Sequence, residues 1–261
     1  LFIYDMSYLD CPEFMNDKNK HYLQKFCSPS IQNSSLIITI SEFTKKRILH
    51  HFPDLSAHIV VTPIPPIRQL TDSAEKNGIK GLEKNNFILF VGTVEPRKNL
   101  LNLLSAYELL DKSVLARYKL VIAGGSGWKN EEIFEKIKQL QNNGLEIIVT
   151  GYISDEEKSW LYENCACFTM PSHYEGFGMP ILEAMQYRAR IASSDIEVFR
   201  EIAGSSINYF DKDNPGNIAE CIEETLETEP DFNNYKNIIG SISWAKNANI
   251  INTSIEQLLG E

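Results

Sequence analysis

From residue 87 onward, short apolar runs alternate with stretches of helical periodicity, and this alternation limits the fold more than any other feature. Six runs are predicted strands, at residues 87–91, 119–123, 146–149, 166–170, 190–192 and 207–210. Each run is nearly continuous in hydrophobic residues, as in parallel strands that are covered on both faces. Between the runs, apolar residues recur three and four positions apart, as at Leu100, Leu103 and Leu104. Strand followed by helix, repeated, predicts a doubly wound α/β domain.

The domain organisation follows from where this pattern stops and starts. Residues 1–62 show it in brief, with two apolar runs and a helix for which Ser41 is a plausible N-cap. Residues 63–85 carry three prolines and then a polar stretch, which predicts a linker. We therefore expect part of a first Rossmann-like domain (1–62), a linker (63–85) and a complete second one (86–240). A C-terminal helix (241–261) is expected to pack back on the first domain through an apolar stripe formed by Trp244, Ala248, Ile251, Ile255 and Leu258.

The bulk composition excludes several classes of protein. The 261 residues include 43% hydrophobic and 23% charged ones, which is ordinary for a globular protein. No apolar run approaches the roughly 20 residues of a membrane-spanning helix. The net charge of -10 argues against nucleic-acid binding and against docking on anionic lipid through a basic face. Five scattered cysteines favour reduced thiols in a cytoplasmic protein. The chain begins at Leu1, inside an apparent strand, and we expect further residues upstream.

In open α/β sheets, ligands bind beyond the carboxyl ends of the strands, so the loops that follow the strands are the candidate sites. The first is "VGTVEPRKNL". Gly92 allows a close backbone turn, and Arg97 and Lys98 place two cations at a helix that Asn99 is predicted to cap. Two cations at a helix N-terminus suit a phosphate group. A plain turn followed by solvated charges is the alternative.

The next two loops are less specific. "AGGSGW" fails the dinucleotide fingerprint, because Asn130 stands where the last glycine belongs. In "VTGYISDEE", Gly151 ends a strand, and Ser154 with Glu157 forms a capping-box pattern. A capped connection explains Ser154 but leaves Tyr152 open as a residue that borders a nucleobase.

The fourth loop is "PSHYEGFGMPILEAM". The predicted helix begins near Met179, and its glycines, Gly176 and Gly178, free the backbone amides to face an anion at the helix start. Glu175 precedes this helix and Glu183 lies about one turn into it. Two glutamates eight apart are a weak signal alone, and the glycines and the preceding strand strengthen it.

His173 is the histidine within this loop. Its ordinary interpretation is a polar surface or satisfied core residue. The alternative is a hydrogen bond to the ligand or to Glu175.

These stretches together resemble one family. "PSHYEGFGMPILEAM" resembles the E-x7-E signature of family-4 retaining glycosyltransferases, which have the GT-B fold. "FVGTVEPRKNLLNLLSAYELL", "LVIAGGSGW" and "VTGYISDEEKSWLYENCACFTMPS" resemble the preceding blocks of that family, in the family's order. "YDMSYLDCPEF" and "LIITISEFTKKRI" resemble the late part of its N-terminal domain. The resemblance covers essentially the whole chain and implies two Rossmann-like domains facing across a cleft.

The resemblance also implies roles for residues. Lys98, with Arg97 beside it, would neutralise the donor diphosphate, Glu175 would contact the transferred sugar, and Glu183 would bind the ribose hydroxyls. The resemblance thus implies that Glu175, Lys98 and Arg97 are catalytic. The implied donor-binding residues are Gly92, Thr93, Gly151, Tyr152, Ile153, Gly176, Phe177, Gly178, Met179 and Glu183. The family usually has a basic residue at the position of Thr93, for which Arg97 compensates. "QYRARIASSD" replaces a common glycine and proline, which implies a reshaped loop.

The implied activity is retaining transfer of a sugar from a nucleotide-sugar donor to a glycan or lipid-linked saccharide. The "EPRKN" variant resembles mannosyltransferases of bacterial polysaccharide assembly, so GDP-mannose is the expected donor. No metal or other cofactor is expected, and peripheral membrane association of the full-length protein stays open. Two alternatives remain: a module that binds the donor without transfer, and a sugar-nucleotide epimerase of the same fold.

Overall fold

The computed structural model describes residues 1–66, 79 and 81–260, which form two parallel sheets with helices around them. The first sheet has the order β1-β2-β3, with all pairs parallel. Its strands are β1 (Phe2–Ile3), β2 (Leu36–Thr39) and β3 (His58–Val61). Its helices are α1 (Ser7–Asp10), α2 (Asp17–Gln32) and α3 (Glu42–His51), with a 3-10 turn at Pro12–Phe14.

The second sheet has six parallel strands in the order β6-β5-β4-β7-β8-β9. They are β4 (Phe87–Val91), β5 (Lys119–Ala123), β6 (Ile147–Gly151), β7 (Cys167–Met170), β8 (Ile191–Ser194) and β9 (Asn208–Phe210). The chain winds outward from β4 to β6 and then returns to place β7 on the other side of β4. This reversal is the topological switch point, and it opens a crevice at the carboxyl ends of β4 and β7.

Helices cover both faces of the second sheet, as the nearly continuous apolar strands require. They are α4 (Leu100–Leu109), α5 (Lys112–Arg117), α6 (Glu131–Asn142), α7 (Asp155–Asn164), α8 (Met179–Gln186), α9 (Glu197–Ala203), α10 (Pro215–Glu227) and α11 (Phe232–Ser241). Helices α4, α6 and α10 contribute to the core on one face, and α7, α8 and α9 to the core on the other. None of the helices in the described ranges has the length and apolar character that a membrane span requires.

The predicted α/β fold is confirmed, and all six strands predicted after residue 86 are present, with ends shifted by one or two residues. The largest differences are at β6 and β8, each of which ends two residues later than predicted; the hydrophobic pattern ended β8 at Ala192. Ser193 and Ser194 continue the strand, because both are fully buried and lie opposite Tyr209 and Phe210 of β9. Most of the predicted linker, residues 67–78 and 80, lies outside the described residues.

The last helix, α12 (Trp244–Leu259), lies against β2 and β3 of the first sheet. Its contact face differs from the expected apolar stripe, because Trp244 is 57% exposed and Leu258 is 47% exposed. The buried positions are instead Asn247 and Ser254. These polar side chains are satisfied there, since Asn247 donates to the Pro63 carbonyl at 2.7 Å and Ser254 bonds within its own helix.

The two sheets meet closely at Gly176, in the loop between β7 and α8. The Ser41 hydroxyl caps α3, as predicted, and also donates to the Gly176 carbonyl at 2.6 Å. Thr44 donates to the same oxygen at 3.1 Å. A Cβ atom at Gly176 would lie 2.1 Å from the Tyr4 carbonyl oxygen, which no side chain tolerates. Glycine is therefore required here by the approach of the first sheet.

We expect the substitution Gly176→Ala to lower the free energy of unfolding by about 2 kcal/mol or more, because the new methyl group overlaps the Tyr4 backbone. The matched control is Gly125→Ala, where an added Cβ meets no atom within 4 Å. Chemical denaturation of both variants measures the difference. Equal losses in the two variants would show that the contact at Gly176 does not constrain the fold.

Candidate active site

Glu175 is the centre of the candidate site. It lies in the loop after β7, at the switch point, and only 8% of it is exposed. Its carboxylate accepts bonds from Lys98 Nζ at 2.5 Å, from an Arg97 guanidinium nitrogen at 2.8 Å and from the Ser172 hydroxyl at 2.8 Å. Lys98 and Arg97 follow β4, the strand adjacent to β7. The strand order therefore joins two loops that are 77 residues apart in sequence.

The Glu175 carboxyl is held in its charged form. Burial alone would raise its pKa, but the charges of Lys98 and Arg97 and the hydrogen bonds from Lys98 and Ser172 outweigh burial and lower it. The group is thus an anion at neutral pH. A buried anion with three donors is preorganised, because folding has already oriented the groups around it.

Arg97 braces this carboxylate from a second side. Its guanidinium also contacts Glu95, which is buried, at 2.8 Å, and donates to the Tyr174 carbonyl at 2.9 Å. Burial would lower the pKa of Arg97, but the two carboxylates raise it above its usual value. Arg97 is therefore occupied by protein groups on several sides, whereas Lys98 has Glu175 as its ion-pair partner.

Asn99 does not cap α4 with its side chain, so that prediction is wrong. The residue has left-handed backbone angles, φ 57° and ψ 35°, and makes no side-chain capping bond. Its amide instead donates to the Pro171 carbonyl at 3.0 Å and to the Lys212 carbonyl at 2.8 Å. The side chain thus ties the loop after β4 to the loop before Glu175. These partners are 72 and 113 residues away, so no local pattern reports them.

Helix α8 begins at Met179, as predicted, and its N-terminus faces the same loop. Gly178 precedes it with a φ of 136°, a conformation that glycine adopts readily. A Cβ there would also come within 3.1 Å of the Phe199 ring. Pro180 occupies the first turn, where its missing N–H costs little. No side chain of the described residues caps this helix start, which leaves an N-terminus of the kind that binds anions.

Glu183 lies one turn into α8 and lines a pocket. Its carboxylate accepts bonds from Lys158 Nζ and from the Tyr162 hydroxyl, each at 3.0 Å. Both partners are on α7, so the pocket lies between α7 and α8 and has a volume of about 180 Å³. Its lining residues are Asp155, Lys158, Ser159, Tyr162, Met179, Glu183, Gln186 and Tyr187. Glu183 and Met179 thus lie in one pocket, as their shared helix predicts.

The other predicted donor-binding residues do not line this pocket. Gly151 ends β6, and the Tyr152 side chain that follows is 90% exposed. Neither they nor Ile153 line the pocket beside Glu183. Gly92 and Thr93 follow β4, and Thr93 is exposed. The predicted capping box of Ser154 and Glu157 is confirmed.

Gly176 and Phe177 are buried on the other side of Glu175, where Phe177 belongs to the core beneath α8 and α9. They therefore shape the loop, and the Gly176 carbonyl binds the first sheet.

Sequence reasoning missed Tyr174 and its partner Asp10. The Tyr174 hydroxyl donates to Asp10 at 2.8 Å, across the junction between the sheets. Asp10 has a buried carboxylate that also binds Arg47 at 2.5 Å and His51 at 2.6 Å, both on α3. Burial raises the pKa of Tyr174, so its hydroxyl stays protonated and donates. Both neighbours of Glu175 in the chain, Tyr174 and Gly176, are thus held by the first sheet.

His173 does not bond to Glu175, so that part of the alternative is wrong, and a hydrogen bond to the ligand stays a prediction. Its ring stacks on Phe14, with centroids 4.9 Å apart and an angle of 11° between the planes. Its Nδ1 lies 3.6 Å from Asp213. Burial lowers the pKa of His173 and outweighs the opposing charge of Asp213, which favours a neutral ring at neutral pH. His173 belongs to the contact between the two sheets.

The loop after β9 contains an Asp-x-Asp sequence, Asp211 and Asp213. Asp211 accepts the Asp213 backbone N–H at 3.0 Å, and Asp213 also contacts Lys212 at 2.6 Å. Within the described part of the chain, no three His, Cys, Asp or Glu side chains are grouped so that they could hold a metal ion.

These features define the class: an α/β protein with a buried cluster of charged side chains at the switch point of a parallel sheet. Residues 72–240 match the family model described as "Glycosyl transferases group 1". The chain belongs to this glycosyltransferase family.

Relatives and solved structures agree with this assignment. O-antigen chain mannosyltransferase B of Escherichia coli is 30% identical over 231 residues, which cover 87% of this chain and 60% of that protein. O-antigen chain mannosyltransferase RfbU of Salmonella typhimurium is 26% identical over 221 residues, which cover 83% of this chain and 59% of that protein. The structure of Anabaena HepE in complex with UDP and glucose matches with a TM-score of 0.73 at 16% identity, over 98% of this chain and 70% of that chain. The fold is thus that of the GT-B glycosyltransferases.

We expect Glu175→Gln to lower the free energy of unfolding by about 3 kcal/mol, because it leaves the charge of Lys98 buried without its ion-pair partner. Lys98→Met should lower it less, because Arg97 still neutralises Glu175. The double variant should lose less than the sum of the two, because removing both charges of the pair leaves neither of them buried without the other. Urea denaturation of the four proteins gives the coupling energy.

The matched control is Lys136→Met, which breaks a more exposed ion pair with Glu108 and should cost at most about 1 kcal/mol. Strictly additive losses at Lys98 and Glu175 would contradict the buried pair.

Proposed function

We propose that this chain is part of a family-4 retaining glycosyltransferase that moves mannose from GDP-mannose to a glycan or a lipid-linked saccharide. The observation that carries the proposal is the buried Glu175 carboxylate, held by Lys98 and Arg97 at the switch-point crevice beside the start of α8. Glu175 and Glu183 are the pair of the E-x7-E signature. The family and the mannosyltransferase names of its relatives support both the reaction class and the sugar.

The donor diphosphate fits the start of α8. The backbone amides of Gly178 and Met179 lie at an N-terminus with no capping side chain among the described residues, and the helix dipole favours negative charge there. Lys98 has three ammonium protons, and the hydrogen bond to Glu175 uses one of them. It is therefore the cation that we assign to the phosphates. Arg97 is assigned to holding Glu175 in place, because Glu95 and Tyr174 already occupy much of its guanidinium.

Glu183 is assigned to the ribose hydroxyls. Lys158 and Tyr162 orient its carboxylate at the wall of the pocket between α7 and α8. A carboxylate accepts several hydrogen bonds, so neighbouring hydroxyl groups of one sugar are suitable ligands. The exposed Tyr152 and the adjacent Gly151 and Ile153 remain our proposal for the border of the base.

The reaction that fits these positions is attack on the face from which the diphosphate departs. The bond between the anomeric carbon and the phosphate oxygen breaks, and the acceptor hydroxyl oxygen bonds to the same carbon. The acceptor proton passes to a phosphate oxygen of the leaving nucleoside diphosphate. Lys98 and the α8 amides stabilise the negative charge that develops on phosphate, and the Glu175 anion stabilises the positive charge on the sugar.

Because lysine and backbone amides supply positive charge, we propose that transfer needs no metal ion. We also propose a cytoplasmic location for the donor site, where nucleotide sugars are present. A donor-binding module and an epimerase are not favoured, since the family and the named relatives are transferases.

The test is transfer from GDP-mannose, UDP-glucose and UDP-N-acetylglucosamine to mannose-containing acceptors, with NMR of the new linkage. We expect turnover with GDP-mannose, an α-configured product and no loss of rate in EDTA. Glu183→Gln should raise the donor KM about tenfold, the equivalent of about 1.4 kcal/mol, while the surface control Glu108→Gln leaves it unchanged.

Each outcome bears on a separate part of the proposal. A β-linked product would contradict retention, and inactivation by EDTA would contradict metal independence. If calorimetry shows that neither GDP nor UDP binds, the assignment of a nucleotide-sugar site is wrong.

A further inference from the structure

Asn99 joins three loops at the carboxyl edge of the second sheet. Its side chain is buried, and its amide nitrogen donates to the Pro171 carbonyl at 3.0 Å and to the Lys212 carbonyl at 2.8 Å. Asn99 itself belongs to the loop after β4, whereas Pro171 follows β7 and Lys212 follows β9. One buried amide thus fixes the loop after β4 against two others.

A second bond joins the loops after β4 and β7 on the other side of Lys98. It is a backbone bond, in which the His173 N–H donates to the Arg97 carbonyl at 2.9 Å. Arg97 and Asn99 are the residues before and after Lys98, so the backbone of Lys98 is held from both sides. Of these two bonds, the one from Asn99 depends on a side chain, so the identity of this residue decides whether it forms.

The residues between these two bonds donate to one oxygen atom. Lys98 lies between them in the loop after β4, and Ser172 lies between them in the loop after β7. Lys98 Nζ donates to Glu175 Oε1 at 2.5 Å, and the Ser172 hydroxyl donates to the same atom at 2.8 Å. All three residues are buried. A shift of one loop along the other would therefore separate Lys98 from the carboxylate that Ser172 orients.

The backbone of Asn99 limits which residue types can make this contact. Its angles, φ 57° and ψ 35°, lie in the left-handed region, which glycine and asparagine adopt more readily than most residues. Glycine has no side-chain donor, so asparagine meets both requirements. We propose that Asn99 is a positioning residue for transfer, whose amide keeps Lys98 at bonding distance from Glu175. Asn99 acts through these two residues and is not assigned a contact with substrate, and its effect on the rate rests on the proposed function.

The test is the substitution Asn99→Gly, assayed with the donor and acceptors of the transfer test. Glycine keeps the left-handed backbone without strain and removes both amide bonds. We expect kcat to fall about tenfold while the donor KM changes by less than about twofold, because the Glu175 anion is assigned to charge that develops in the transition state. Asn99→Asp has the same shape but directs an acceptor at the two carbonyls, so kcat should fall at least as far.

Two matched controls separate this role from the loss of an ordinary contact. Asn85→Gly makes the same substitution at another left-handed asparagine, also with a φ of 57°, which precedes β4 at the opposite edge of the sheet. Asn102→Ala removes a second amide that donates to the Lys212 carbonyl, at 3.0 Å, and leaves the bond from Asn99 to Pro171 in place. Both controls should keep kcat within about twofold of wild type.

A second readout does not require the transfer reaction: carbon-13 NMR titration of the Glu175 carboxyl, assigned with Glu175→Gln. Burial raises the pKa of this carboxyl, but the charges of Lys98 and Arg97 and the bonds from Lys98 and Ser172 outweigh burial and lower it. Asn99→Gly should raise the pKa above its wild-type value, because Lys98 is no longer held beside the carboxylate. Both controls should keep the wild-type value.

Three results would overturn the proposal. The first is an unchanged carboxyl pKa in Asn99→Gly, and the second is an unchanged kcat in both Asn99 variants of an active enzyme. The third is a loss of kcat in Asn102→Ala equal to that in Asn99→Gly, since the loop after β9 would then set the rate. If the wild type transfers nothing and Asn99→Gly still raises the carboxyl pKa, the positioning of Lys98 by Asn99 stands and the proposed function is wrong.

Discussion

The structure depends on one buried ion cluster, in which the Glu175 carboxylate is neutralised by Lys98 and Arg97. An ionised carboxyl away from water is costly unless opposite charges and hydrogen bonds surround it. The sheet order meets this requirement, because β4 and β7 are neighbours and release their loops at the same edge. If the order of these two strands changed, Glu175 would lose both cations and Lys98 would lose its ion-pair partner, whereas Arg97 would keep Glu95.

The formal charges of this cluster balance, which limits how strongly its side chains can attract an anion. Glu95 and Glu175 face Arg97 and Lys98, so the four groups sum to zero formal charge. A diphosphate is therefore not attracted by an excess of side-chain cations in this crevice. In the proposed donor complex, the attraction comes from Lys98, which can bind two anions at once, and from the amides at the start of α8. Arg97, paired with both carboxylates, holds Glu175 independently of Lys98.

The sequence predicted those parts of the fold that local patterns encode. Continuous apolar runs indicated the strands, and Ser41 and Ser154 marked helix starts where both side chains indeed cap. Errors arose where a distant partner decides a side chain's position. Asn99 is of a residue type that often caps helices, but its side chain binds carbonyls 72 and 113 residues away. Tyr174 was missed for the same reason, because its partner Asp10 is 164 residues away. Ser172 was missed although its partner Glu175 is only three residues away, because no spacing rule marks that contact.

The contacts of Tyr174 and Gly176 make the candidate site a property of both sheets. Glu175 receives its charge partners from the second sheet, while the residues on either side of it bind Asp10, Ser41 and Thr44 of the first part of the chain. Ser41 does two things with one hydroxyl, because it accepts the N–H that starts α3 and donates to Gly176. A displacement of the first sheet would therefore pull on the backbone at both ends of Glu175 while Lys98 and Arg97 hold its carboxylate. The separation of the sheets and the position of this carboxylate are thus coupled by short, buried hydrogen bonds, which tolerate little change in length.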